Sequence, residues 1–175
     1  MSFKADNPKR VLAVDPTSRG FGFIVMEGLT SVIDWGVKTV KTNKQTETLA
    51  KVTELFSRYQ PERIVLEAVG DKDSRRCKRI QNLILSIRSL AKRRKVRSNC
   101  FSPAKVKRIF LTFGAATKHQ IAHVVARQLP ELASRVPRYR KAWMSEDYSM
   151  AIFDAAALAL TYFYSQQVTR REKRA

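Results

Sequence analysis

Three apolar runs in this chain each lead into, or enclose, a single acid, and that combination restricts its possible folds more than any other feature. VLAV leads into Asp15, IVL leads into Glu67, and the Ala-rich AIFDAAALALTYF encloses Asp154. Such runs are bound for the interior, where an ionised carboxylate is costly unless a cation or a set of donors compensates it. If the three acids meet in space, a divalent metal is the cheapest compensation.

The rest of the chain alternates strand and helix patterns. VLAVD (residues 11–15) is a β-branched run that reads as a central strand ending at a D-P turn. GFGFIVMEG and SVIDWGVK follow after short Gly-containing breaks, which predicts a three-strand antiparallel meander. From Thr42 the period becomes helical, with Leu49, Val52, Leu55 and Phe56 on one side, a Thr42/Gln45 capping box at the start and Pro61 as the stop. RIVLE (residues 63–67) is a short run suited to a strand buried on both faces, and a helical crossover into it makes it parallel to the first strand.

A second helix is expected over residues 74–94, with Ile80, Leu83, Ile84, Ile87 and Leu90 on one stripe, followed by a fifth strand at VRSNCF. Thr117 with Gln120 predicts a further capped helix, and a Pro- and Arg-rich loop at 130–141 leads to a last helix with Ser145 as its cap. At 175 residues and 44% hydrophobic content the chain buries one core and is too short for two full domains. The expectation is an α/β fold, a five-stranded mixed sheet flanked by helices. One domain would cover residues 1–167, with a frayed basic tail at 168–175.

This order of elements constrains the acids. Asp15 and Glu67, each read as the last residue of its strand, should emerge side by side at one edge of the sheet, roughly 5 Å apart or twice that if a strand intervenes. The small residues Ala151, Ala155, Ala156, Ala157 and Ala159 allow the final helix to approach the sheet and deliver Asp154 to the same edge. Three carboxylates with no His or Cys ligand set suit Mg²⁺, with Mn²⁺ able to substitute. Two such ions about 4 Å apart would activate water and stabilise a leaving 3′ oxygen at phosphorus. Blander readings stand beside this one: Asp15 before Pro16 would also start a turn, and Glu67 would also pair with an arginine. Asp154 has no such easy alternative.

Charge identifies the partner. Lys and Arg number 34 against 15 Asp and Glu, a net charge of +19, so the surface carries a broad positive field. Duplex DNA presents about one negative charge per 1.7 Å, and releasing its condensed ions favours nucleic acid over other partners. Fourteen of the cations lie between Asp71 and Arg108, diluted only by Asp71 and Asp73, which reads as a phosphate-facing flank rather than a merely solvated helix face. A basic protein with a metal-holding acidic pocket reads as a nuclease. No lipidation signal or spanning segment is visible, the N-terminal MSFKADNPKR lacks an apolar signal core, and Cys77 and Cys100 form no CxxC. A cytoplasmic protein with neither a membrane partner nor a zinc module is expected. His119 and His123 have zinc-like spacing, but Gln120 stands where a metalloprotease needs Glu; Trp35 and Trp143 read as core and loop packing.

These residues carry a family resemblance. VLAVDPTSRGFGFIV resembles the opening strand pair of the RuvC family of Holliday junction resolvases, in the RNase H-like superfamily. IVLEAV resembles its second acidic strand and DAAALALTY its closing helix. SPAKVKRIFLTFGAATKHQIAHVVARQL is similar to the family's Pro-x-x-Val-Lys, Gly-x-Ala-x-Lys and Gln-Val-x-His segments in order and spacing. The motifs are weak singly and strong as an ordered set across residues 11–165.

The resemblance implies a homodimeric, Mg²⁺-dependent endonuclease that nicks two strands of a four-way DNA junction symmetrically. Asp15, Glu67 and Asp154 take the catalytic and metal-binding positions, and Lys107 and Lys118 match basic residues near the scissile phosphate; Lys105, Arg75, Arg76 and Arg79 complete the expected DNA-binding set. Two departures follow. The family usually places an acid or a His three residues before the helix Asp, where this chain has Ala151, so a fourth ligand falls to Asp147 or Glu146. Asp147 would lie about 10 Å along a continuous helix from Asp154 and would have to reach in from a bent first turn. After Glu67 the chain reads Ala68, Val69, Gly70, Asp71 where the family often has a wedging aromatic residue, which leaves forks, flaps or another branched DNA as alternative substrates. A non-catalytic nucleic-acid-binding protein on the same scaffold is the other alternative.

Overall fold

The computed structural model describes residues 10–70, 75–141 and 143–172, the last three by backbone alone. Its centre is one mixed sheet of five strands: β1 (Arg10–Thr17), β2 (Gly20–Glu27), β3 (Val32–Thr39), β4 (Arg63–Glu67) and β5 (Arg97–Phe101), in the order β3-β2-β1-β4-β5. The first three form the antiparallel meander, and β4 and β5 run parallel to β1. The crossovers are α1 (Lys44–Tyr59) and α2 (Lys78–Arg93), followed by α3 (Pro103–Leu111), α4 (Lys118–Gln128) and α5 (Met150–Glu172).

Strand alternation divides the interior into two cores. Leu12, Val14, Ile64 and Leu66 face α1 and α2, whose stripes contribute Val52, Leu55, Leu83, Ile84 and Ile87. Val11, Ala13, Ile24, Met26 and Val65 face α3, α4 and α5. With a side-chain period of two, Asp15 follows Val11 and Ala13 onto the α5 face, and Glu67 follows Val65. Gly22, which pairs with Asp15 across β1 and β2, allows α5 to close on the sheet, because a Cβ there would stand 2.1 Å from the Ala151 carbonyl oxygen.

The structure corrects several local expectations. β1 does not turn at Pro16 but continues to Thr17 against β2; its pairing with β4 ends at Ala13 opposite Val65, and a strand that has lost one neighbour tolerates proline. The Thr42/Gln45 capping box does not form. α1 begins after a left-handed Asn43, and Thr42 Oγ1 donates to Glu47 Oε1 at 2.9 Å. The second helix starts at Lys78 rather than 74; Arg75–Cys77 is non-helical, with Cys77 extended, and residues 71–74, with Asp71 and Asp73, lie outside the described residues. α3 was not read from the sequence, although Ser102 caps it and Pro103 opens it, a strong start signal.

At Thr117 the capping box is complete: its hydroxyl accepts from Gln120 N, and Gln120 Oε1 accepts from Thr117 N. The 130–141 loop opens with a 3-10 turn, Pro130–Arg135. Ser145 does not cap the final helix, because that helix begins only at Met150 and the Asp147 carboxylate accepts from Ser149 N and Oγ just ahead of it. At the other end α5 stays helical through Glu172, past the residue 168 where the sequence suggested a separate tail. No helix among the described residues is long and apolar enough to cross a membrane.

Candidate active site

Asp15, Glu67 and Asp154 border one cavity of about 220 Å³, together with Arg76, Lys107 and Lys118. The two strand acids come from adjacent strands, and the third arrives from α5, whose Ala155, Ala156 and Ala159 are fully buried against the sheet. Val106, Ile121 and Leu158 add apolar surface to the lining.

Two cations organise the acids. Arg76 Nη2 donates both to Asp15 Oδ1 and to Glu67 Oε2, the latter at 3.0 Å, and Nη1 donates to the Pro16 carbonyl. Lys118 Nζ donates to Asp154 Oδ2 at 2.9 Å and to Glu146 Oε1 at 2.8 Å. Asp15 is 2% exposed, and burial is the main cause that pushes its carboxyl up to about 7, against the pull of Arg76. Burial also raises Asp154, opposed first by Lys118. The carboxylates in turn hold the Lys118 ammonium and the Arg76 guanidinium more firmly protonated than usual, outweighing their burial.

In this conformation no three His, Cys, Asp or Glu side chains among the described residues stand close enough to hold one ion. Arg76 takes the place between Asp15 and Glu67, so the arginine-pairing alternative for Glu67 is realised. The donor chemistry nevertheless fits a hard divalent cation: the cavity presents carboxylate oxygens without sulfur or imidazole, and its acids already gather positive charge.

Other expected residues are placed differently. Asp147 does not border this cavity; it is bound by Ser149 and by Arg140 Nη2 at 2.9 Å beside a separate pocket with Ser18 and Arg19, and the Ser149 N–H holds its carboxyl below the usual range. Glu146 borders that same separate pocket, but Lys118 ties it to Asp154. The expected Ala151 ligand gap has a packing cause, since the helix backbone there lies against Gly22. Lys107 lines the cavity, Arg75 and Arg79 are exposed along the approach to α2, and Lys105 is half-buried at the α3 start. His119 and His123 contact each other, Nε2 to Nε2 at 3.1 Å. Trp35 packs half-buried against the core, but Trp143 is 79% exposed under Lys141, against the loop packing expected. What sequence reasoning missed is the role of Arg76 as partner of the acids; it precedes its helix in a non-helical segment and carries no distinguishing motif.

An RNase H-like sheet with acids on its two central parallel strands and on the closing helix defines a class, the metal-dependent nucleases of that fold. The chain belongs to the RuvC family, whose model, crossover junction endodeoxyribonuclease RuvC, matches residues 11–162. It is accordingly a Holliday junction resolving nuclease of DNA recombination and repair, from a family whose nucleases are metal-dependent. Among solved structures, Thermus thermophilus RuvC in complex with Holliday junction substrate is similar at a TM-score of 0.67 and 22% identity, covering 92% of this chain and 97% of that one. A second Thermus thermophilus RuvC structure gives the same score and identity over 91% and 97%. The yeast mitochondrial Holliday junction resolvase is similar at 0.61 and 12% identity, over 92% and 80%. At these identities the structural likeness shows the fold. No curated protein matches the chain in sequence.

Proposed function

We propose that this protein resolves four-way DNA junctions by paired symmetric nicks, acting in the cytoplasm as a homodimer with Mg²⁺, or Mn²⁺ in its place, at Asp15, Glu67 and Asp154. The convergence of these three acids on one cavity flanked by Lys107 and Lys118 carries the reading. Asp15, Glu67 and Asp154 would hold divalent cations, whose chemistry there would be activation of water at neutral pH and stabilisation of the leaving 3′ oxygen. The chain's own residues do the rest. Lys118 spans Asp154 and Glu146, so its ammonium would face a scissile phosphate brought to this cavity, with Lys107 on the same lining. Arg75 and Arg79 extend the positive flank along the DNA backbone. Glu146, rather than Asp147, is the fourth acid available to the centre. The nuclease domain would span residues 1–167, and the basic residues from 168 onward, helical through Glu172, would add positive charge for DNA.

Two active sites acting on one junction require two copies, which is the basis for the dimer. The test uses labelled four-way junction, fork and linear duplex, each with Mg²⁺ and with EDTA. Paired nicks on the junction in Mg²⁺ alone are expected. Equal cutting of linear duplex, or no metal-dependent product, would refute the reading, and sedimentation velocity on the same sample reports the dimer.

A further inference from the structure

We propose that Arg76 is the resident counter-ion of the metal seat, a guanidinium that occupies the oxygens of Asp15 and Glu67 until DNA draws it away, so that metal and DNA load together. This rests on the reading that those acids hold the metal. Arg76 bonds Asp15, Glu67 and the Pro16 carbonyl at once, with a side chain only 19% exposed. A divalent ion with oxygen ligands at about 2.1 Å would take the same lone pairs, so ion and guanidinium compete for one position. Arginine does not give up its proton in proteins, so it cannot yield the position by neutralisation. It has to move.

The backbone allows that movement more readily than a helix would. Arg76 sits in the non-helical Arg75–Cys77 segment ahead of α2, and Gln81 Nε2 donates to its carbonyl at 2.9 Å. Exposed Arg75, Lys78 and Arg79 surround it, so a DNA backbone arriving at this flank brings phosphates within its neighbourhood. A phosphate offers a planar guanidinium the same bidentate acceptor as a carboxylate. Before DNA arrives, Arg76 relieves the repulsion between two acids on adjacent strands. After it leaves, that repulsion favours a cation. Linkage then requires the coupling to be reciprocal: DNA that takes Arg76 tightens metal binding, and metal tightens DNA binding.

Mn²⁺ titrations of the full chain, followed by electron paramagnetic resonance, test this without reference to cutting. Arg76→Gln, which keeps a donor toward Asp15, should bind Mn²⁺ about tenfold or more tightly than wild type in the absence of DNA. A phosphorothioate-protected junction should tighten Mn²⁺ binding by wild type far more than by Arg76→Gln. Arg127→Gln, exposed on α4 outside the 71–108 basic flank, should behave as wild type. Circular dichroism checks folding; if Arg76→Gln does not fold, Arg76→Lys replaces it and should fall between wild type and the expected gain. Equal or weaker Mn²⁺ affinity in the folded variant would overturn the proposal alone. Absence of Mn²⁺ binding by every protein, junction included, would overturn the metal-centre reading and this proposal with it.

Discussion

Each acid at the centre carries a distinct electrostatic load. Replacing Asp15 by Asn, Glu67 by Gln or Asp154 by Asn should abolish junction cutting while leaving binding unchanged or tighter, since a negative charge facing phosphate is removed; gel-shift and cleavage assays on one preparation separate the two effects. The buried pair also sets a pH dependence. In the unfolded chain Asp15 loses its proton near 3.8, whereas burial raises it to about 7 in the folded protein, and Asp154 moves the same way. Between those values the folded state binds more protons than the unfolded one, so this contribution to stability is present at low pH and is lost as pH rises toward 7. Asp147, held low by Ser149, contributes the opposite slope at more acidic pH. Calorimetric melts in EDTA should show metal-free protein losing stability from pH 5 to pH 7.5, with a flatter profile for Asp15→Asn and after Mn²⁺ addition. An unchanged slope in Asp15→Asn contradicts the assignment.

At the scale of elements, two contacts determine whether the chemistry is aligned. Gly22 lets α5 lie backbone to backbone on β2, and Gly22→Ala would drive a methyl into the Ala151 carbonyl. Overpacking of this kind costs about 1–3 kcal/mol, so the thermal midpoint should fall and cutting should fall further, because Asp154 lies one helical turn beyond the collision. Thr117 caps the helix whose first residue is Lys118. Thr117→Ala should cost about 1 kcal/mol in urea unfolding and slow cutting by loosening the ammonium that spans Asp154 and Glu146. The sequence announced the Thr117 cap because box and apolar stripe agree there. At Thr42 the same pattern misled, since Asn43 adopts a left-handed turn and Thr42 turns to Glu47 instead. Asp147 could be placed only by knowing where α5 begins: the sequence offered Ser145 as the cap, whereas Asp147 accepts from Ser149 just ahead of Met150.

Over the whole molecule, charge and topology were legible before any coordinates, and the local partners of charged groups were not. Continuous apolar runs marked β1 and β4, which are buried on both faces, Gly-containing breaks marked the meander, and the helical crossover set β4 parallel to β1, whereas VRSNCF carried the presence of β5 and no derivation of its direction. Arg76 as partner to Asp15 and Glu67 was invisible, since its reach depends on a non-helical segment between two elements. The net charge of +19 predicts a steep salt dependence. With 6–10 phosphate contacts, junction affinity should fall by about 10³–10⁵ between 50 and 200 mM salt, measured by fluorescence anisotropy; a shallow slope would mean that the basic flank does not meet the backbone. The division of the interior into two cores has a final consequence. Asp154 hangs from one slab of the molecule and Arg76 from the other, and they meet only at the seam along the strand ends. Loosening either slab alone opens that seam, so on warming this enzyme should fall silent while most of its structure is still standing.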